Sequence, residues 1–592
     1  MADIPSFQVD ESRLWFSKEA GWPDEVPKNV EFPAISLGDM LRRSAEEHGE
    51  RNAVWFLDTF MNYRELDAHV DAFATALSRR GIKKGDVVTL LLPNSFQYVI
   101  AYYACMRLGV IASGVNPTYK PFEILHQLDT VGSKALIVLD ALYEPQIAPI
   151  IDKHPFELVV ATNVADMADL SGLKKFIGKL LGKIPTGPVP DTALRFTDML
   201  KTPVNLPEVE IDVFSDPATY IMTGGTTGVP KAAVLTHHNC VSNCIQSKEW
   251  IFKIKPGACA IGVLPMFHSF AMTCVMNITL SIGAFSMLFP RPPDNKELVE
   301  TIIAIGPDDA TMYVGAEVLF QRMAEFLDDP QNSHYLDKLA GKLALCVSGA
   351  GPLHRPVQEK FERVTGGRLV EGYGLTESTP VVSASPFWGE RKIGTIGLPF
   401  PGTDWKIVDK DDHKKDLPVG ESGEIAIAGP QVMKGYLNKP EETAETIVEM
   451  DGKRWLLTGD IGFMDELGRI TINDRKKQLI KYKGYSVFPK EVEELVGGHE
   501  AVNEVAVSGL PDEETGEVIK AWVVLNQEYI GKITESELHA WCKDNLTHYK
   551  VPRHVEFREE LPKSMVGKVL RRELQEADPI WKKAHPEGGE KA

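Results

Sequence analysis

The chain has 592 residues, 43% of them hydrophobic, and a formal net charge of −19. That length exceeds what one core supports and predicts two or more domains of ordinary globular composition. The acidic balance speaks against a nucleic-acid binder, which presents a basic face, and leaves room for a local basic patch facing an anionic cofactor.

In chain order, the first residues lack the basic start and apolar core of a secretory signal. Residues 87–92 predict a buried strand ended by Pro93 and Asn94, and residues 97–108 predict a helix ended by Gly109. Residues 135–139, 158–161 and 343–347 are further strand candidates. Strands alternating with helical stretches predict an α/β fold with mainly parallel sheets. Leu170, Leu173, Phe176, Ile177, Leu180, Leu181 and Ile184 fall at helical spacing, with Lys174, Lys175, Lys179 and Lys183 among them. A basic amphipathic helix of this kind can rest on an anionic membrane. A surface helix packed on its own domain with solvated lysines is the favoured alternative, and Gly172, Gly178 and Gly182 weaken the helix itself. No apolar run reaches membrane-spanning length.

After about Gly394 the prolines and glycines Pro399, Pro401, Gly402, Pro418, Gly420 and Gly423 punctuate short apolar stretches. They predict a small β-rich subdomain. The chain turns charged after Asp474, which predicts a boundary between a domain of residues 1–474 and a smaller one of residues 475–592. The seven cysteines are scattered and lack paired Cys-x-x-Cys spacing. Structural zinc is therefore not expected, and a cytoplasmic setting is.

The chemistry concentrates in a few short stretches. Thr223, Gly224, Gly225, Thr226, Thr227 and Gly228 precede Pro230 and Lys231. Glycines bring backbone amides close to an anion, hydroxyls add donors, and lysine adds a point charge suited to phosphate. The spacing is not that of the common NTPase loop, in which Gly-Lys is followed by Ser or Thr. Here Val229 and Pro230 separate Gly228 from Lys231, and Ala232 follows.

Downstream, residues 348–353 carry Gly349, Ala350 and Gly351, and residues 371–378 carry Glu371, Gly372, Tyr373, Gly374, Thr376 and Glu377. Tyr373 can stack on a purine, and Thr376 can bond a phosphate. Glu377 is a hard oxygen ligand suited to magnesium. A tight turn with a satisfied carboxylate explains the same residues equally well. Asp460, on a turn, suits a ribose diol. The cations after Asp474, and Lys568, read in isolation as solvated surface charges. His268 in isolation reads as a core histidine beside a turn, and residues 271–276 as either a buried helix or the wall of an alkyl channel.

Together and in this order, these stretches resemble the adenylate-forming superfamily of acyl-CoA synthetases, luciferases and peptide-synthetase adenylation domains along nearly the whole chain. The N-terminal half is most similar to bacterial-type long-chain fatty acid–CoA ligases, through residues 26–33, 62–66, 92–94 and 115–119. The resemblance implies a large N-terminal domain of two α/β subdomains plus a small β-rich one, and a small mobile α+β C-terminal domain. It implies ATP, Mg2+ and CoA as cofactor and co-substrates. A fatty acid carboxylate attacks the α-phosphate of ATP to give acyl-AMP and pyrophosphate, and the CoA thiolate then displaces AMP. An aryl-CoA ligase on the same fold, or a non-catalytic nucleotide- or lipid-binding relative, remains open.

The resemblance also implies residue roles. Thr223 through Lys231 grip the β- and γ-phosphates, with Thr223 and Glu377 at the magnesium. Gly349, Ala350 and Gly351 flank the adenine, residues 371–374 lie along it with Tyr373 stacked, and Thr376 touches the α-phosphate. Asp460 and Arg475 hold the ribose beside Ile472. Lys568 is the catalytic cation. Lys477 is the hinge, and Lys483, Gly484 and Tyr485 turn towards CoA after rotation. His268 and Phe270 lie at the acyl pocket with Met272, Tyr313, Gly315 and Ala316. Gly315 stands where relatives often have proline, and reshapes the pocket on this reading. Gly224 and Ala232 replace residues common in the family by other small ones, so phosphate binding is expected to persist. The sequence leaves oligomeric state open, a homodimer included.

Overall fold

Val87 to Leu91 are buried without exception, so this strand has no polar face to show solvent. Such a run belongs in the middle of a parallel sheet covered on both sides. It lies there in the computed structural model of the chain. The structure describes residues 7–171, 184–223, 230–482, 485–512, 515–564 and 567–585, with residues 175, 177, 178 and 180–182 between the first two spans. They form two compact units. One comprises residues 7–223, 230–405 and 427–456, and the other residues 406–426 and 457–585. The second unit thus takes in more than the residues after 474 that the change in charge marks. The strand pair Lys453–Met464 and Ile470–Arg475 joins Asp460 to Arg475 by backbone pairing, which holds both sides of that mark together.

The first unit contains two large sheets. In the eight-stranded one, Ile111–Gly114, Val87–Leu91, Ser133–Leu139 and Leu158–Thr162 run parallel at the centre. Beyond Ile111–Gly114 come Pro217–Thr223, then the antiparallel strands Lys231–Thr236 and Gly435–Tyr436. The nine-stranded sheet has Cys259–Gly262, Thr311–Gly315, Leu343–Ser348 and Leu369–Gly374 as parallel neighbours, followed by antiparallel Val381–Ala384. The α/β class and the mainly parallel sheets agree with the sequence pattern.

Helix Phe96–Leu108 starts where the Ser95 hydroxyl accepts the Tyr98 amide hydrogen, and ends at Gly109 with φ 61°. Serine supplies the missing acceptor at a helix start, and glycine takes the left-handed conformation at the end without a Cβ clash. Nearly every residue between is buried, which explains why the helix shows little amphipathic pattern in sequence.

In the second unit, the long strands Val502–Asp512 and Gly516–Leu525 pair antiparallel, with His554–Arg558 parallel to the latter. Alternation along Gly516–Leu525 sends Ile519, Ala521 and Val523 to a core with Val487, Val492 and Leu538. It sends Val518, Trp522 and Val524 to another with Leu561 and Leu574. No helix among the described residues is long and apolar enough to cross a membrane.

Candidate active site

Thr223 and Lys231 are cross-strand partners at the end of the pair Pro217–Thr223 and Lys231–Thr236. Gly224, Gly225, Thr226, Thr227 and Gly228, expected to grip phosphate, lie outside the described residues. Lys231 Nζ stands 4.6 Å from the centroid of the Tyr436 ring, a cation–π contact. Among the described residues no carboxylate lies within ion-pair distance of Lys231.

Glu377 sits on the single turn Thr376–Ser378 that follows strand Leu369–Gly374. The turn is closed from within: Leu375 N and the Ser378 hydroxyl donate to Pro380 O at 3.1 and 2.6 Å. It is also tied to residues 431–433. Thr379 Oγ1 donates to Gln431 O at 2.7 Å, and Met433 N donates to Glu377 O at 2.8 Å. Gly374 is required here, because a Cβ would stand 1.9 Å from Pro380 O. The Tyr436 hydroxyl donates to Glu377 Oε1 at 2.7 Å. Among the described residues no cluster of three or more His, Cys, Asp or Glu side chains forms a metal site. A single carboxylate with one oxygen bonded to Tyr436 nevertheless fits magnesium, which keeps several waters and takes one or two protein carboxylates beside substrate phosphates.

A narrow cavity of about 110 Å³ lies wholly within this first unit. Its wall includes Gly349, Ala350, Gly372, Tyr373, Gly374 and Thr376, so the strand ends expected to meet the nucleotide border it directly. Ala350 adopts φ 67°, a left-handed conformation rare for a residue with a Cβ. Phe270 packs against Gly349 so closely that a Cβ there would come within 2.8 Å of its ring. His268 lines the cavity too, with its Nδ1 accepting from Phe270 N at 3.3 Å, and the Ser269 and Thr376 hydroxyls lie 3.2 Å apart. Apart from Ser247, the remaining wall is apolar and includes Ile251, Ile278, Met312, Val314, Phe387 and Phe400.

Four expected pocket residues, Met272, Tyr313, Gly315 and Ala316, do not line the cavity. On strand Thr311–Gly315 successive side chains face opposite ways. Met312 and Val314 face the cavity, while Tyr313 packs into the core around Phe320 and Phe361. Gly315 follows Tyr313's side, where a Cβ would meet Leu319 and Phe320, so it does not shape the cavity. Ala316 is buried at the start of helix Glu317–Asp328 and is not part of the cavity wall. Met272 is buried, but Cys274 and Ile278 supply that part of the wall. The sequence missed Met312, Val314, Phe387, Phe400 and Tyr436. Period-two alternation offered Met312 and Val314 as equals of Tyr313, and nothing local marked the others.

The second unit carries its own cluster. Asp460 is buried after Gly459, whose φ is 72° and whose N–H donates to Glu424 Oε1 at 2.9 Å. Arg475 Nε approaches Asp460 Oδ1 at 3.0 Å. Ile472 lies on the same strand as Arg475, and its carbonyl accepts from Lys490 Nζ at 3.1 Å. Lys477 falls in the short turn Lys476–Gln478, where Lys476 Nζ donates to Glu424 Oε2 at 2.9 Å. Lys483 and Gly484 lie outside the described residues, and Tyr485 opens strand Tyr485–Val487.

Lys568 is half-buried and closes a tight turn, with Ser564 N donating to Lys568 O at 2.8 Å across Gly567 at φ 81°. Burial, then the Arg475 and Arg571 guanidinium groups, lower its ammonium pKa to about 8 against the opposing pull of Asp460. A lysine that reads in sequence as surface charge is thus held in a cationic, partly desolvated setting.

Residues 41–437 match the family model described as AMP-binding enzyme, and residues 491–568 match its C-terminal domain. The chain belongs to the AMP-binding enzyme family. Among relatives of this AMP-binding enzyme, a long-chain-fatty-acid–CoA ligase of Bacillus subtilis is 36% identical over 571 residues, covering 94% of this chain and 97% of that protein. The 4-coumarate–CoA ligase 1 of Arabidopsis thaliana is 31% identical over 554 residues, covering 91% and 92%. Among solved structures, ATP-bound MatB from Rhodopseudomonas palustris superimposes with a TM-score of 0.77 at 26% identity, over 93% of this chain and all of that one.

Proposed function

We propose that this AMP-binding enzyme is an ATP-dependent acyl-CoA ligase that activates a medium- or long-chain fatty acid through acyl-AMP to acyl-CoA, releasing pyrophosphate and AMP. The observation that carries the reading is the cavity wall. It begins at Gly349, Ala350, Tyr373 and Thr376 and continues into apolar side chains, with no Asp, Glu, Lys or Arg among its lining residues. Such a wall offers no Asp, Glu, Lys or Arg to pair with an amino group or a second carboxylate, and burying either charge unpaired is costly. It suits a monocarboxylic acid with a hydrocarbon tail, each buried methylene contributing about 0.8 kcal/mol. The B. subtilis relative named above supports a fatty acid.

In the first step a substrate carboxylate oxygen bonds to the α-phosphorus of ATP and the bond to pyrophosphate breaks. We assign Lys568 to the negative charge that builds there, an electrostatic role, with Thr376 donating to the α-phosphate and Tyr373 stacked on adenine. Thr223 and Lys231 hold the outer phosphates. Glu377, with the Thr223 hydroxyl, would hold Mg2+, which when bound neutralises phosphate charge. Asp460 and Arg475 bind the ribose. In the second step the CoA thiolate attacks the acyl carbonyl and AMP leaves with the bonding pair, near His268. Turning on Lys477 exchanges Lys568 for the face of Lys483, Gly484 and Tyr485 between the two steps.

The test is a substrate panel of octanoate, palmitate and benzoate with AMP release as readout. Turnover of the alkyl acids is expected, turnover of benzoate alone overturns the substrate assignment, and absence of acid-dependent ATP–pyrophosphate exchange overturns the enzymatic one.

A peripheral membrane contact at residues 170–184 is a second proposal, supported by the exposure of Ile177, Leu180 and Leu181. Leu173, Lys174, Phe176, Lys179 and Lys183 of that segment lie outside the described residues. Flotation with anionic liposomes should be lost in Leu180→Asp, and equal behaviour of wild type and variant sinks the idea.

A further inference from the structure

Two oppositely charged side chains of the phosphate half-site, Lys231 and Glu377, both touch Tyr436. Tyr436 belongs to the two-residue strand Gly435–Tyr436, whose register sets it opposite Ala233. Ala233 and Lys231 share one face of their strand, so Tyr436 reaches Lys231 as a diagonal neighbour. Backbone bonds on either side fix the strand: Lys434 N donates to Val234 O at 3.0 Å and Leu437 N to Ala232 O at 2.9 Å. Tyr436 N also donates to Thr443 Oγ1 at 2.9 Å. The side chain is therefore held by its own backbone before any ligand arrives.

The Tyr436 hydroxyl is a donor to Glu377 Oε1 at 2.7 Å. A carboxylate has two oxygens and about four acceptor positions, so one bond at Oε1 orients the group and leaves Oε2 for another partner. The ring face meanwhile attracts the Lys231 ammonium without neutralising it. Were Tyr436 absent, the carboxylate and the ammonium would be free to pair with each other, and each would lose capacity for metal or phosphate.

We propose that Tyr436 is the positioning residue of the phosphate half-site: its hydroxyl presents Glu377 to a divalent cation, and its ring keeps Lys231 turned to phosphate rather than to Glu377. This rests on the ligase reading and deepens it.

The experiment is calorimetric titration of the full-length protein with ATP, without acid or CoA, in Mg2+ and in EDTA. Wild type is expected to bind more tightly in Mg2+. Tyr436→Phe keeps the ring and loses the donor, and should shrink that Mg2+ advantage about tenfold with little change in EDTA. Tyr436→Leu removes the ring as well and should also weaken binding in EDTA. In acid-dependent ATP–pyrophosphate exchange, Tyr436→Phe should demand more Mg2+ and recover kcat at saturating Mg2+. Combined with Glu377→Gln it should lose nothing beyond Glu377→Gln alone.

An unchanged Mg2+ advantage in Tyr436→Phe, or additive losses in the double variant, overturns the proposal. Should Tyr436→Phe fail to fold, Glu377→Asp withdraws the carboxylate from the hydroxyl and keeps its charge. It must then show the Mg2+ defect, and its absence overturns the proposal equally. Wild type that binds no ATP under either condition refutes the ligase reading instead.

Discussion

Arg475 Nε lies 3.0 Å from Asp460 Oδ1, and the two residues are also backbone partners across an antiparallel strand pair. The arginine holds the buried carboxylate in one orientation. If Asp460 receives a ribose diol, Asp460→Asn should raise KM for ATP at least about tenfold, since bonds to a charged acceptor are the strong ones. Wild type should reject 2′-deoxy-ATP and Asp460→Asn should lose that discrimination. Kinetics with the two nucleotides check this, and undiminished discrimination in the variant contradicts the assignment.

Lys568 gives a pH dependence with a definite sign. Its pKa falls from 10.5 to about 8, so the free enzyme loses this cation as pH rises through about 8. The kcat/KM of acyl-adenylate formation should fall above that pH, because kcat/KM reports groups of the free enzyme. Lys568→Arg, whose charge does not titrate, should retain whatever activity it has across the same range. Lys568→Ala should lose adenylation by orders of magnitude while thioester formation from supplied acyl-adenylate largely survives. The stability term runs the other way. Between about 8 and 10.5 the unfolded chain holds a proton that the folded chain has released, so the penalty for burying this ammonium is full below pH 8 and is lifted as pH rises.

The cavity wall predicts which residues set chain length. Val314 faces the cavity, so Val314→Phe should shift preference towards shorter acids, at about 0.8 kcal/mol, or roughly fourfold in kcat/KM, for each methylene excluded. At Gly315 a Cβ would meet Leu319 at 3.1 Å and Phe320 at 3.3 Å, on the far side of the strand. Gly315→Ala should therefore leave chain-length preference unchanged. A graded series of fatty acids measures both, and a large specificity change in Gly315→Ala contradicts this geometry.

Gly374 admits no side chain. The Cβ of Gly374→Ala would overlap Pro380 O at 1.9 Å, and that oxygen already accepts from Leu375 N and the Ser378 hydroxyl. Relief requires opening the turn that carries Glu377. Thermal or urea unfolding should show a loss of about 3 kcal/mol, and the Mg2+ dependence of ATP binding should weaken with it. A variant with wild-type stability and Mg2+ response contradicts this account.

The sequence by itself determined the class of fold and the inventory of chemistry. Apolar runs such as residues 87–91 and the Ser95 and Gly109 caps are local signals, decided by side chains within a few residues of one another. The stretches at Thr223–Lys231, Glu377, Asp460 and Lys568 stood out as candidates only together, because each is contiguous and their order along the chain carries the family resemblance. Only the tertiary structure decided which face of Thr311–Gly315 meets the cavity, since alternation fixes that Met312 and Tyr313 diverge but not which one faces inward. It alone brought Tyr436 to Glu377, 59 positions away, and surrounded Lys568 with Arg475 and Arg571. Those relations depend on strand pairing and on burial across long separations, and a pKa or a cavity wall is a property of such surroundings rather than of any residue's own neighbours in the chain.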